Sequence, residues 1–407
     1  MSIKHLYVHI PFCRSRCAYC DFVSEPVGPH ARAGRVERYL TALGAELGNH
    51  VGGVLKPGEV ETIYVGGGTP TVLPGESLVA LVHDLAALQH GRGAEDRRTA
   101  EAGIRARAST GSAAEVETAT ARAPAHELTL ESNPGTVDAG LLERLMAAGV
   151  TRLSLGVQSF SPALRRVLGR KVTQKEIEGA LAAVAATGWQ EWNIDLVFGI
   201  PGQSWQDAAA DVEAAVTAGP THISLYDLTY TDMFEARVEA ALGAQARHAA
   251  AAFAEGHFAE IVARLQAAGY RRYEVSNFAL PAHECRHNQA YWRGDDYLGI
   301  GTAAVSTAGG RRRTNPRSVG GYLAGEPPEI EMLSPRTRLW EQAMLGLRTS
   351  EGLEESRFVP VIDREARDRL LAQGCLEMHC GKLRLNPGFL DLSNSVISAL
   401  LVVPEEP

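Results

Sequence analysis

Short apolar segments alternate with longer segments of helical periodicity through the first half of the chain. The short segments are rich in β-branched and aliphatic residues, as buried strands are, and the longer ones repeat apolar residues at i, i+3 and i+4. Six strand–helix repeats predict a parallel sheet, either doubly wound or rolled into a barrel. The predicted strands are 5–10, 61–65, 127–131, 152–156, 191–197 and 221–225, and the helices between them are 35–48, 76–88, 138–148, 174–186 and 206–218.

Unusual residues gather where the predicted strands end. Cys13 follows the first strand, Gly66 opens a glycine run after the second, and Glu131 closes the third. Gln158 follows the fourth strand and Asp195 lies near the end of the fifth. In both candidate architectures ligands bind at the carboxyl ends of the strands, so we expect the functional site there.

The remaining sequence differs in composition from this repeat. Residues 91–124 are mostly Ala, Gly, Arg, Glu, Thr and Ser, with too little apolar surface to offset ordering, and are predicted to be a disordered insertion. An alanine-rich helix over 244–268 precedes a polar and aromatic loop over 276–297, and a hairpin is predicted at 375–385. The predicted division is a core over 1–240, an extension over 241–333 and a small helical, winged-helix-like domain over 334–407.

Charge and length narrow the function classes. The 407 residues carry 40 basic and 48 acidic side chains, a net charge of −8, which argues against a mainly electrostatic nucleic-acid binder. With no long apolar run and no signal sequence at its start, the chain is expected to be cytoplasmic and to lack a transmembrane segment. Three of its 6 cysteines are crowded together, which favours metal chemistry over a disulfide framework.

The crowded cysteines, Cys13, Cys17 and Cys20, stand in one predicted loop. Three ligands are too few for a structural zinc site, which takes four. On a four-iron cluster, three cysteines leave one iron open to an outside ligand, which could be the amino and carboxylate groups of a bound molecule. The alternatives are a zinc site completed by His9 or Asp21, or simply reduced thiols.

The segment YVHIPF followed by C-x3-C-x2-C resembles radical S-adenosylmethionine (SAM) proteins of the coproporphyrinogen dehydrogenase and HemW group. Further matches extend in order over nearly the whole chain: GGGTPT from Gly66, ESNP from Glu131, GVQSF from Gly156, GR at Gly169, NIDL from Asn193 and GIPGQ from Gly199. One glycine motif would be unspecific, but this ordered set is specific. The resemblance implies a partial (β/α)6 TIM-like barrel that holds a [4Fe-4S] cluster on the three cysteines, with SAM beside it.

The resemblance also implies roles for residues that would bind the methionyl part of SAM. Gly67 and Gly68 would let the backbone approach the amino group, and Thr69 would add an oxygen. Glu131 would offer its carboxylate to the ammonium, and Arg170 its planar guanidinium to the carboxylate.

The same resemblance assigns the nucleoside end of SAM. Gln158 and Asp195 suit the ribose hydroxyls, and Tyr7 and Tyr19 would supply ring faces or hydroxyls near the cluster and adenosine. Taken singly, Asp195 could be a strand-end cap, Gln158 a loop amide and Arg170 a surface cation. Taken together, they favour SAM.

Two features distinguish the members of this group. Coproporphyrinogen III dehydrogenases carry a fourth cysteine where this chain has Phe22, and an N-terminal extension where this chain has only a few residues. The segment CRHNQAYW resembles the HNxxYW segment of HemW-type heme chaperones. His287 beside Tyr291 and Trp292 could ligate heme iron. Alternatively, Cys285 competes as the ligand, or His287 is a hydrogen-bonded core residue.

The resemblance therefore implies a chaperone that binds the cluster, SAM and heme and transfers heme to respiratory or other heme proteins. A homodimer and peripheral contact with a membrane are compatible with it. The alternatives are an oxygen-independent coproporphyrinogen III dehydrogenase, which uses SAM to decarboxylate its substrate, and a structural module that holds zinc.

Overall fold

The computed structural model describes residues 2–27, 32–91 and 126–404. The predicted insertion at 91–124 lies outside these residues apart from Gly91. The strands are β1 (His5–Ile10), β2 (Phe12–Cys13), β3 (Glu25–Pro26), β4 (Thr62–Gly67), β5 (Glu127–Ser132), β6 (Arg152–Gln158), β7 (Trp192–Phe198), β8 (His222–Asp227), β9 (Arg271–Arg272), β10 (Asn277–Ala279), β11 (Tyr297–Ile300), β12 (Val305–Ala308), β13 (Arg311–Thr314), β14 (Glu329–Met332), β15 (Leu376–His379) and β16 (Lys382–Leu385).

Helices connect most of these strands. They are α1 (Arg32–His50), α2 (Gly75–Gln89), α3 (Ala139–Ala148), α4 (Pro162–Val167), α5 (Gln174–Thr187), α6 (Trp205–Ala218), α7 (Asp232–Leu242), α8 (Ala246–Ala267), α9 (Arg286–Trp292), α10 (Val319–Ala324), α11 (Pro335–Gly346), α12 (Glu355–Phe358), α13 (Arg364–Ala372) and α14 (Ser393–Leu400). Within the described part of the chain, each helix is too short or too polar to cross a membrane.

The sheet order identifies the architecture. Strands β1, β4, β5, β6, β7 and β8 are neighbours in that order and pair in parallel. A doubly wound sheet reverses its strand order at a switch point, and this run of strands does not. The predicted α/β fold, a partial (β/α)6 TIM-like barrel, is therefore confirmed. Strands β11 to β14 extend the sheet beyond β1, and β10 and β9 extend it beyond β8.

The barrel strands have one apolar and one polar face. In β1, Leu6 and Val8 are buried in the main hydrophobic core, while His5, Tyr7 and His9 lie on the opposite face because side chains alternate along a strand. The same alternation recurs in β4 to β8. Parallel strands covered on both faces are usually apolar throughout. The polar inner face of this barrel is therefore available for a site.

Capping residues explain why two of the predicted helices match the structure within one residue at each end. Helix α5 begins at a capping box formed by Thr173 and Glu176, and α6 at one formed by Ser204 and Asp207. Both helices end at a glycine with a left-handed backbone conformation. Local sequence alone specifies these boundaries.

The loop predicted over 276–297 is wrong in part, because it contains β10 and α9. The backbone N–H groups of Arg286 and His287 donate to the Glu127 carboxylate, each at 2.9 Å. This carboxylate from β5 satisfies the first turn of α9, where free N–H groups would otherwise remain. A cap supplied from so distant a residue gives no signal in the local sequence.

The C-terminal residues have a hydrophobic core of their own. Helices α11, α13 and α14 and the hairpin β15–β16 surround a buried cluster that includes Leu347, Leu376 and Leu400. The hairpin lies where it is predicted. The domain boundaries at 240 and 333 stay predictions.

Candidate functional site

A cavity of about 640 Å³ opens at the carboxyl ends of the barrel strands, and we call it the first cavity. Its volume is typical of a small-molecule site. Tyr7 and His287 are not among its lining residues. The predicted site residues that line it are Cys13, Cys17, Tyr19, Cys20, Gly67, Gly68, Thr69, Glu131, Gln158, Arg170 and Asp195.

Cys13 ends β2, and Cys17 and Cys20 lie in the loop that follows it, which is anchored at several points. The Cys13 carbonyl accepts from the Val27 N–H at 2.9 Å, and the Ala18 N–H donates to the Leu168 carbonyl at 3.0 Å. All three cysteines are half-buried, and none of them forms a disulfide. Burial raises the pKa of Cys13, and raises that of Cys20 to about 11. A positive metal centre would have to offset this effect to hold thiolates here.

The structure bears on the alternative of a zinc site completed by His9. No three His, Cys, Asp or Glu side chains in the described ranges converge as ligands of one metal ion. His9, considered as a fourth zinc ligand, has both ring nitrogens engaged, by the Tyr7 hydroxyl at 3.0 Å and the Val23 carbonyl at 2.9 Å.

Glu131, half-buried, lines the wall of the first cavity. One carboxylate oxygen accepts from the Tyr64 hydroxyl at 2.8 Å and the other from the Gly67 N–H at 3.1 Å. Burial, with a smaller contribution from Asp195, raises the pKa of Glu131 to about 7. A half-buried carboxylate with a raised pKa would be stabilised by a ligand's ammonium group.

Arg170 is buried beside the cysteine loop and already has protein partners. Nη1 points to the Cys17 sulfur at 3.6 Å, and Nη2 donates to the Asn133 side chain and the Gly156 carbonyl. Its Nε has no hydrogen-bond partner in the described part of the chain. Asn133 also donates to the Thr69 hydroxyl at 2.6 Å, so these side chains form one network.

Two polar side chains face the first cavity from β6 and β7. Gln158 has a positive φ of 71° at a bulge between these strands, and no hydrogen bond of its amide is found within the described residues. Asp195 accepts from the Asn193 amide at 2.7 Å and the Ser154 hydroxyl at 3.1 Å, while burial raises its pKa. Both can accept hydrogen bonds from ligand hydroxyls, and the Gln158 amide can also donate.

Gly67, the last residue of β4, and Gly68 are both required because neighbouring residues of the chain leave no room for a side chain. A Cβ on Gly67, which has a φ of 110°, would lie 2.5 Å from the His9 ring. A Cβ on Gly68 would lie 2.7 Å from the Phe12 carbonyl oxygen. Only glycine fits these two positions. A role of their backbone towards SAM stays a prediction.

A second cavity of about 580 Å³ adjoins the first, and we call it the second cavity. Its wall includes the inner face of β1 and β4, helix α9 and β11. Tyr7 and His287 line it together with Tyr64, Tyr291 and Trp292. The residues that line both cavities are Asp21, Phe22, Gly67, Glu131 and Tyr226.

His287 presents an imidazole to the second cavity. Its Nδ1 lies 2.8 Å from the Thr62 hydroxyl, and its ring is 5.3 Å from that of Tyr64, centre to centre. Nε2 has no hydrogen bond in the described part of the chain, and the residue lines the second cavity. Burial lowers the pKa of His287 to about 3, so the ring is neutral. A neutral imidazole oriented through its other nitrogen is the form that binds metals.

The structure adds residues that the sequence analysis missed. Tyr64 binds Glu131, Tyr226 lines both cavities, and Arg317 lines the second cavity. Tyr64 and Tyr226 lie on the polar inner face of their strands. The alternation of polar and apolar residues within these strands is the signal that could have identified them.

The comparisons with known proteins agree with this geometry. The Radical SAM superfamily matches residues 7–215. Proteins named heme chaperone HemW are similar over most of the chain. The one from Synechocystis is 34% identical over 90% of this chain and 82% of its own length, and the one from Mycobacterium tuberculosis is 33% identical over 97% and 94%. Coproporphyrinogen III oxidase (HemN) from Escherichia coli has the same fold, with a TM-score of 0.73 and 20% identity over 98% of this chain and 90% of that one.

Barrel, motifs and superfamily match define the class of a radical SAM protein. Within that class the chain belongs to the HemW family, because relatives of this name are more than 30% identical and aligned over most of both lengths.

Proposed function

We propose that this chain is a heme chaperone that holds a [4Fe-4S] cluster and SAM in the first cavity and heme in the second. It would transfer the heme to respiratory or other heme proteins. The observation that carries the proposal is the neutral imidazole of His287, which faces an aromatic cavity directly beside the cysteine-lined one. The name of the relatives, heme chaperone, supports the same activity.

The first cavity supports the cluster and SAM by its donor set. Cys13, Cys17 and Cys20 would each bind one iron of the cluster. When bound, the cluster and SAM together would supply one-electron chemistry. Glu131 is half-buried, and its partners among the described residues are the uncharged Tyr64 hydroxyl and Gly67 N–H, so it would bind the methionyl ammonium. The Gln158 amide, without a hydrogen bond among the described residues, would bind a ribose hydroxyl, together with Asp195 on the neighbouring strand β7.

The second cavity supports heme by its shape and lining. His287 would bind the iron through Nε2, and the rings of Tyr291 and Trp292 line the space that a porphyrin would take. Cys285, the alternative ligand, is buried, its thiol donates to Glu127 at 3.4 Å, and it is not a lining residue of this cavity. His287 is therefore the better candidate.

The alternative function is oxidative decarboxylation of coproporphyrinogen III. The likeness to HemN extends to the fold alone, since the identity is 20%. Phe22, at the position of the fourth cysteine of the dehydrogenases, is 63% exposed and lines both cavities. No observation on the second cavity favours decarboxylation over binding.

The test of heme binding is a spectroscopic titration of the anaerobically reconstituted protein. Loss of a side chain that only supports a metal ligand typically weakens binding by roughly 10-fold. His287→Ala removes the proposed ligand itself, so it should weaken heme affinity by at least this factor and shift the Soret band. Iron and sulfide content should not change. The exposed His248 offers a matched control, His248→Ala, with wild-type behaviour. Equal affinity and spectra in both variants would remove His287 as the ligand.

The test between the two functions uses the same protein with reductant, SAM and coproporphyrinogen III. Mass spectrometry then measures 5′-deoxyadenosine and decarboxylated porphyrinogen. Decarboxylated product over many turnovers would make the chain an enzyme and overturn the proposal. Metal analysis that finds zinc and no iron would overturn the cluster.

A further inference from the structure

Two buried histidines share one hydroxyl group at the amino ends of β1 and β4. The Thr62 oxygen lies 2.9 Å from His5 Nδ1 and 2.8 Å from His287 Nδ1. All three side chains are buried. A hydroxyl has one proton and can therefore donate to only one of the two rings. At least one histidine must carry its proton on Nδ1, and the hydroxyl proton is used in the contact with the second ring when that ring has a bare Nδ1.

The surroundings of the two rings decide which is which. Nε2 of His5 lies 3.9 Å from the Asp295 carboxylate, and Glu61 adds a second negative charge nearby. Arg293 and Lys4 face the same ring, but they pair with Asp295 at 3.2 Å and Glu61 at 2.7 Å. A proton on His5 Nε2 is thus favoured. Nε2 of His287 has no such acceptor among the described residues.

We propose that Asp295, His5 and Thr62 form a relay that holds His287 in the Nδ1–H tautomer, with its bare Nε2 facing the second cavity. His5 keeps its proton on Nε2, beside Asp295. Its Nδ1 accepts from the Thr62 hydroxyl, and the Thr62 oxygen accepts from Nδ1–H of His287. A histidine side chain in water prefers the opposite tautomer, so the relay reverses the ordinary preference.

The consequence concerns the proposed heme site, and to this extent the inference rests on the proposed function. A metal binds the ring nitrogen that carries no proton. His287 would reach heme with that nitrogen already bare, and no tautomer shift would oppose binding. Thr62, His5 and Asp295 are thus positioning residues, which act on the iron only through His287.

The test reads the tautomer in heme-free protein. Protein labelled with ¹⁵N-histidine is examined by long-range ¹H–¹⁵N correlation, and His287 is assigned by comparison with His287→Gln. We expect a protonated Nδ1 and a bare Nε2. Thr62→Val preserves the β-branched shape but not the hydroxyl, and should bring back the Nε2–H form. Thr62→Ser retains the hydroxyl and should leave the tautomer unchanged.

Further variants distinguish the possible failures. Asp295→Asn changes a half-exposed side chain, so it should fold even if Thr62→Val does not, and it should shift His287 part of the way to Nε2–H. Thr62→Val should also weaken heme binding by roughly 10-fold, as losing an outer partner of a metal ligand does. An Nε2–H form in the wild type overturns the relay whatever heme does. An Nδ1–H form in the wild type that changes to Nε2–H in Thr62→Val supports the relay. That result would stand even if His287→Ala bound heme normally, which would overturn only the proposed ligation.

Discussion

The two cavities share a wall but are assembled differently. The first is formed at strand ends, where short motifs such as the loop from Cys13 to Cys20 each present several side chains. The second is formed by strand faces and helix α9, and its contact between Thr62 and His287 joins residues 225 positions apart. The first cavity therefore depends on strand ends and the loops that follow them, whereas the second depends on the docking of α9 against the barrel.

Their chemistry differs in the same way. Thiols, carboxylates and a free amide line the first cavity, which suits a charged and polar ligand. Aromatic rings and a neutral imidazole line the second, which suits a flat ligand that contains a metal. Glu131 and Phe22 belong to both walls. Substitutions in one cavity should leave the ligand of the other in place, whereas substitutions in the shared wall should affect both.

The largest expected effect is the loss of the cluster in Cys17→Ala. With two cysteines left, iron and sulfide should fall to near background and the visible absorption of the cluster should disappear. Heme titration of the same variant should still show binding, because no cysteine of the loop is needed in the second cavity. The exposed Cys380 provides the control, since Cys380→Ser should retain the full cluster. A full cluster in Cys17→Ala would contradict the assignment of the first cavity.

Glu131→Gln should selectively weaken the binding of SAM. The substitution preserves size but removes the charge offered to the ammonium, and a hydrogen bond between charged groups is worth enough for a roughly 10-fold loss of affinity. 5′-Methylthioadenosine lacks the amino-acid part of SAM, so its affinity should not change. Calorimetry on reconstituted protein compares the two ligands. An equal loss for both would mean that Glu131 shapes the cavity and does not bind the ammonium.

The sequence predicts the first cavity far better than the second. The residues of the first cavity lie where consecutive strands end, and parallel strands bring their carboxyl ends together. Tyr7 instead faces Tyr64 across the paired strands β1 and β4, inside the barrel, which no strand-end argument finds. Helix α9 was missed because its N-terminal partner is Glu127, 160 positions before His287. Contacts over such separations depend on the whole fold.

The stability of the ligand-free protein should report the buried state of Glu131. The pKa of Glu131 is raised from its ordinary value of 4.5 to about 7 in the folded chain. Between these two pH values the folded state therefore holds a proton that the unfolded state has lost. Stability should therefore fall as pH rises from 4.5 to 7, and Glu131→Gln should remove this contribution. The melting temperature of the variant relative to wild type should rise with pH over this window by a few degrees. Glu76→Gln, on an exposed side chain of α2, should show no such trend. A difference that is constant with pH would contradict the raised pKa.

The smallest effect is expected at Arg317, an exposed residue at the second cavity. It makes no ion pair or hydrogen bond within the described part of the chain, and no lysine or other arginine of that part lines this cavity. We expect its guanidinium to form an ion pair with a heme propionate. An exposed ion pair is worth up to about 1 kcal/mol, so Arg317→Gln should weaken heme binding by only about 2- to 5-fold. Heme dimethyl ester carries no propionate charge, and its affinity should be the same in both proteins. An equal loss for heme and its ester would show that Arg317 acts by packing, and the second cavity would then bind porphyrin without recognising its charge.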